Sequence, residues 1–105
     1  MFVVFVVASM ALAGASDGSA RSSFTSCLTG AVAKGADAKV DATGFAAFAR
    51  QACANEAGAF RSWVIAYDMK AGWTRKKSEP DADQQVSDYL DEATDRFKDA
   101  QATKK

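Results

Sequence analysis

One hundred and five residues, with 13 Lys/Arg against 13 Asp/Glu and no histidine, make a neutral chain of at most one domain. The missing histidine excludes Ser-His-Asp and Cys-His nucleophiles, histidine-ligated metals and haem attachment; no metal, cofactor or catalytic residue is expected. Overall neutrality argues against strong polyanion binding, so no nucleic-acid partner is expected either.

At the N-terminus, residues 2–12 (FVVFVVASMAL) form an uncharged apolar run, followed by two Ala-x-Ala sites, Ala11-Leu12-Ala13 and Ala13-Gly14-Ala15. An apolar segment ending at a small-x-small site is the secretory signal pattern, although no Lys or Arg supplies the usual basic start. Residues 1–15 are therefore read as a signal peptide, cleaved after Ala13 or Ala15. The run falls short of the roughly 20 apolar residues that cross a bilayer, so no integral span is expected after processing. Residues 16–22 read as a flexible linker, 23–100 as the folded domain and 101–105 as a frayed tail. A lipid-modified Cys27 is rejected, because Asp17 and Arg21 separate it from the apolar segment.

Three helices are expected beyond the linker. The first spans residues 23–34, capped by Ser22 or Ser23, with Phe24, Cys27, Leu28, Ala31 and Val32 on one face and Gly35 at its end. The second, residues 44–70, is capped by Asp41 or Thr43. Its main stripe holds Phe45, Phe48, Ala49, Ala52, Cys53, Phe60, Trp63, Val64 and Tyr67. An opposite row of Ala47, Ala54, Gly58, Ser62, Ile65 and Met69 makes a homodimer contact possible. Gly72 closes this helix. The third starts at Ser78, with acidic residues and Pro80 in its first turn, and carries Ala82, Val86, Tyr89, Leu90, Ala93, Phe97 and Ala100 inward. Its other face gathers Asp88, Asp91, Glu92, Asp95 and Asp99. The predicted fold class is all-α, a small three-helix bundle, short–long–medium, with short antiparallel connections.

The two cysteines, Cys27 and Cys53, both lie on apolar faces. In an oxidising compartment, two cysteines in so short a chain pair, here closing a loop of about 25 residues; the chain-entropy gain is about 3.5 kcal/mol. No Cys-x-x-Cys offers a redox or metal alternative.

Few side chains stand out as candidates for chemistry. Glu56 lies on the wheel among Phe45, Ala49, Ala52, Phe60 and Trp63, where an unpaired carboxyl should have a raised pKa. It is a candidate ligand contact or proton acceptor, with Trp63 and Tyr67 as lining of a space between helices; pairing with an arginine is the structural alternative. Arg75-Lys76-Lys77 beside Trp73 could touch lipid headgroups, phosphates or nucleic acid, or simply be solvated. Residues 81–92 match a calcium loop at positions 1, 3 and 12, but Val86 stands where the loop needs glycine.

Charge is unevenly spread: residues 21–77 carry nine Lys/Arg against four Asp/Glu, and residues 78–105 carry four against eight. Such polarity marks an interaction surface, or else the acidic helix docks on its own basic half, which is the simpler expectation.

Taken together, Cys27, Phe45, Cys53, Phe60, Tyr67-Asp68, Arg75-Lys76-Lys77 and Asp88-Tyr89 before Ala93 resemble a group of small exported two-cysteine helical proteins of Gram-negative bacteria, over residues 24–97. That resemblance implies export and a disulfide and carries no site residues. The expected protein is non-enzymatic, periplasmic or secreted, and binds another protein or an envelope component through a helix face. A small-ligand or lipid binder using the inter-helix space is the alternative, and a carboxylate-dependent enzyme comes third.

Overall fold

Four helices follow one another through residues 17–103, the part of the chain that the computed structural model describes: α1 (Asp17–Asp37), α2 (Phe45–Ala52), α3 (Ala54–Lys70) and α4 (Arg75–Thr103). No strand occurs among the described residues. The expected signal peptide and both cleavage sites fall on residues 1–16, outside them. The all-α class holds, with four helices where three are expected.

The extra helix comes from a break at Cys53, whose φ of −113° and ψ of 27° interrupt the predicted second helix. Nothing local demands this break. The flanking residues are good helix formers, and the one glycine inside residues 45–70, Gly58, stays helical. What sits at the break is the disulfide to Cys27 of α1, with Cα atoms 5.9 Å apart. The hydrogen-bond ladder is nearly continuous across it, since the Cys53 N–H donates to the Ala49 carbonyl and the Ala57 N–H to that of Cys53. Tertiary attachment at one residue thus overrides a helical propensity worth only tenths of a kcal/mol per position.

The break changes the phase between the two halves. Phe45, Ala49, Cys53, Phe60 and Val64 remain inside, while Ala52 and Tyr67 of the expected stripe are exposed. Ile65, placed on the outer row, is buried in the core, so the expected dimer row does not form one continuous surface.

At the other helix ends, local expectation and structure also part. α1 takes in residues 17–22 as helix and runs past Gly35. Gly35 does not end the helix; it makes room. A Cβ there would lie 3.2 Å from Phe97 and 3.3 Å from Phe45, whose rings stack at 4.4 Å against it. α3 ends in a Schellman turn: Gly72 adopts φ +105°, its N–H donates to the Met69 carbonyl, and the Trp73 N–H donates to that of Asp68. α4 then starts at Arg75, capped by Thr74, whose hydroxyl accepts from the Lys77 N–H at 3.2 Å. Ser78, the expected cap, is instead fully buried and donates to Asp68 Oδ2 at 2.9 Å. That bond explains why three cations tolerate the positive end of the α4 dipole: the start of the helix is fixed from inside the fold. Pro80 consequently falls in the second turn, where its missing N–H forfeits one helical bond.

The α4 stripe behaves as expected. Ala82, Val86, Leu90, Ala93 and Phe97 are buried, and only Ala100 at its end is exposed. Docking is apolar rather than ionic. Among the described residues one ion pair joins α4 to another helix, Arg61 Nε to Asp83 Oδ1 at 2.6 Å. The hydrogen bond to Asp83 raises the Arg61 guanidinium pKa. Such an exposed pair adds little stability. Asp88, Asp91, Glu92, Asp95 and Asp99 all face outward. The acidic helix does dock on the basic half, but through its apolar stripe, and its outward carboxylates are not what joins the two.

Candidate functional site

Two depressions meet at Trp63. The larger is a groove of about 630 Å³ between the start of α1 and the length of α3, lined by Ser19, Ala20 and Ser23 on one side and Asn55, Glu56, Ala59, Ser62, Trp63 and Ala66 on the other. Small side chains on both helices leave this space open. The smaller, about 280 Å³, joins Arg21, Trp63, Val64, Tyr67, Asp68 and Gln85.

Trp63 belongs to a ladder of rings running from the core outward. Phe24 stacks on Phe60 (5.6 Å), Phe60 on Trp63 (6.2 Å) and Trp63 on Tyr67 (5.3 Å). The last three sit at i, i+3 and i+7 on α3, the spacing that lays rings along one helix face. Arg21 covers the ladder from α1, its guanidinium carbon 5.5 Å from the Phe60 ring and 5.6 Å from the Trp63 ring, and it donates to the Tyr89 hydroxyl at 3.1 Å. Cation–π contact of this kind orients the arginine and stiffens the rim of the smaller cleft.

Glu56 does not occupy the apolar stripe. The phase change at Cys53 turns it to the groove, where it is half-exposed and has no ion-pair or hydrogen-bond partner among the described residues. It also lines a shallow depression with Ser22, Ser23, Ser26 and Cys27. The structure therefore brings Glu56 and Trp63 together, sets Tyr67 on the adjoining cleft, and places Arg75, Lys76 and Lys77 apart, at the α3–α4 corner. Cys27 and Cys53 form the disulfide.

The sequence reading gave Asp68 no role and weighed Asp81 only as a first-turn acid and the first position of a calcium loop. Asp68 is 9% exposed, at i+4 from buried Val64 and i+3 from buried Ile65, so a carboxylate at core spacing near a helix end was the available signal. Its carboxyl meets Asp81 in the second turn of α4, and Gln85 Nε2 donates to Asp81 Oδ2 at 3.2 Å. The Asp81 carboxyl is held above its ordinary value, first by the hydrogen bond with Asp68, then by burial, then by the negative charge of Asp68; the Gln85 amide opposes these. A raised folded-state pKa contributes stability that is fully present below the unfolded value, about 3.9, and is lost as pH rises through the folded one. Asp81→Asn should therefore raise the melting temperature at pH 7 and flatten its dependence between pH 4 and pH 7. A lower melting temperature at pH 7 would contradict the pairing. Arg21 was missed for a different reason: it precedes Phe24 by three residues, a neighbour on the same face only once α1 extends back to Asp17.

Among the described residues no group of three or more His, Cys, Asp or Glu is placed to hold a metal ion, and no helix is long and apolar enough to cross a membrane. Comparison with protein-family models, with curated proteins and with solved structures finds no match to this chain.

Proposed function

We propose that the protein is an exported, non-catalytic binding module that receives a helix of a partner protein in the groove between α1 and α3. The carrying observation is the groove itself: about 630 Å³, walled by small side chains, with Trp63 at its side and on it the Glu56 carboxyl, unpaired among the described residues. Residues 55–66 span roughly 16 Å at the helical rise, about three turns of a partner helix. Small residues let two helix backbones approach closely, and Glu56 favours a partner carrying Lys or Arg at the matching turn. Export is supported by the pattern of residues 1–15, by the disulfide and by the resemblance to small exported two-cysteine proteins.

The test places a photo-crosslinking side chain at exposed Ala59 in the groove and, as a control, at exposed Glu92 on α4, in cells expressing the chain. The groove position should give one discrete protein adduct that the control does not, and Glu56→Lys should reduce it about tenfold, as expected when a desolvated charge contact is reversed. Identical adducts from both positions would refute the groove as the binding face. An adduct of lipid or small-molecule mass would instead assign the groove to the small-ligand reading.

A further inference from the structure

The large hydrophobic side chains that remain exposed among the described residues are Tyr67 (61%), Met69 (42%) and Trp73 (39%). All three fall within seven residues, at the corner where α3 turns into α4. The same corner carries Lys70, Arg75, Lys76 and Lys77, all exposed. We infer that this α3–α4 corner is a docking surface for an anionic phospholipid bilayer, with Trp73 and Met69 entering the interface and the cations meeting headgroup phosphates.

The corner is built rather than accidental. The Schellman turn at Gly72 and the Thr74 cap fix the path of residues 71–75, and the buried Ser78–Asp68 bond holds the first turn of α4 to the last of α3. Trp73 is thereby presented outward, with Lys77 Nζ 5.2 Å from its ring centroid. Tryptophan and tyrosine favour the bilayer interface because one part of the ring system is apolar and another polar, and lysine and arginine reach the headgroups along apolar stems.

Charge complementarity selects the partner. The nearby carboxylates are largely engaged: Asp68 accepts from Ser78, Glu79 lies 3.7 Å from Arg75, and Asp83 pairs with Arg61. Asp81 is half-buried against Asp68 and Asp83 is exposed beside Arg61; beyond them the outward acidic row begins at Asp88, eleven residues past Lys77, or roughly 16 Å along the helix. That exceeds the Debye length of about 8 Å at physiological ionic strength. A flat anionic surface touching the corner meets Lys70, Lys76 and Lys77, with Arg75 beside Glu79 and Asp83 beside Arg61, at the positive end of the α4 dipole. A nucleic acid lying along the molecule would run against the acidic row, and exposed methionine offers it nothing.

The test uses the full chain and reads Trp73 locally, because residues 2–12 are apolar in their own right. Vesicles of phosphatidylcholine with 30% phosphatidylglycerol should shift the tryptophan emission to the blue, and pure phosphatidylcholine vesicles should not, with the shift declining as salt is raised. Trp73→Phe should abolish the shift, leaving Trp63 stacked between Phe60 and Tyr67. Lys76→Ala with Lys77→Ala should weaken the corner's partitioning about 30-fold, roughly fivefold per cation. Met69→Ser should weaken it in a background with every charge intact, and unchanged far-ultraviolet circular dichroism in each variant shows that the fold persists. The proposal is overturned by emission that does not move on anionic vesicles, by an equal shift on neutral ones, by insensitivity to the lysine pair, or by duplex DNA that competes with the vesicles at equal charge concentration.

Discussion

Phe97→Ala should lower the stability of the fold by about 3–5 kcal/mol, the cost of emptying a well-packed aromatic position. Phe97 is fully buried, stacks on Phe45 at 4.4 Å and closes over Gly35, where no side chain could fill the gap left behind. Neighbours on three helices would have to collapse together to recover the loss, and α1 and α2 are tied to each other by the disulfide. A domain of this size has about 5–10 kcal/mol in total, so the variant should melt roughly 15–30 °C lower and sit close to unfolding at 37 °C. Thermal and urea unfolding followed by circular dichroism measures this directly. A change under 1 kcal/mol would show that the Phe45–Phe97 stack is not what holds α4 to the other helices.

Reducing the Cys27–Cys53 bond is the second large effect. The two cysteines stand 26 residues apart, and closing a loop of that length removes about 3.5 kcal/mol worth of chain entropy from the unfolded state. Wild-type protein should therefore melt about 15 °C lower in reductant than without it. The double variant Cys27→Ala, Cys53→Ala should melt at least that low and be indifferent to reductant. Because Cys53 is fully buried and Cys27 only half-buried, an attacking thiol reaches the bond from the Cys27 side, so mild reductant should act without prior unfolding. A melting temperature that does not respond to reductant, with free thiols confirmed by mass, would mean that the unfolded chain gains little from release of the loop.

Much of the fold was legible because periodicity reports burial directly. The inner stripe of α4 is the clearest case, since Ala82, Val86, Leu90, Ala93 and Phe97 form an uninterrupted face and all are buried. The cysteines were legible for the same reason, both falling on apolar faces in a short chain. The division at Cys53 was not. Residues 45–70 contain no proline, and the break answers to a bond made with another helix, which no local window contains. Its consequence spread: once the phase shifted there, Glu56 left the stripe for the groove and Ile65 left the outer row for the core. The start of α4 was misplaced because serine before an acidic turn is the stronger local signal, whereas Thr74 followed by three cations is a poor one. The choice was made by Asp68, ten residues earlier, which draws Ser78 inside. Glu56 and Trp63 were found as candidates because an unbroken helical wheel set a carboxyl among rings on one stripe, an arrangement that the break at Cys53 removes. The depressions around them depend on how far α1 extends and how α3 rotates, which only packing decides.

The position of the disulfide also sets an order of events. Both cysteines precede α4, so the bond can close while that helix is still being made or delivered. Phe45 and Ala49 nevertheless find their cover only when Phe97 and its neighbours arrive, since α4 packs against every other helix. Covalent closure and folding are thus separable along the chain. A product truncated before α4 would keep a correct cystine yet lack a protected core, and an oxidising compartment would hold it as a cross-linked but protease-sensitive loop. Commitment to the native state rests with the last helix to appear.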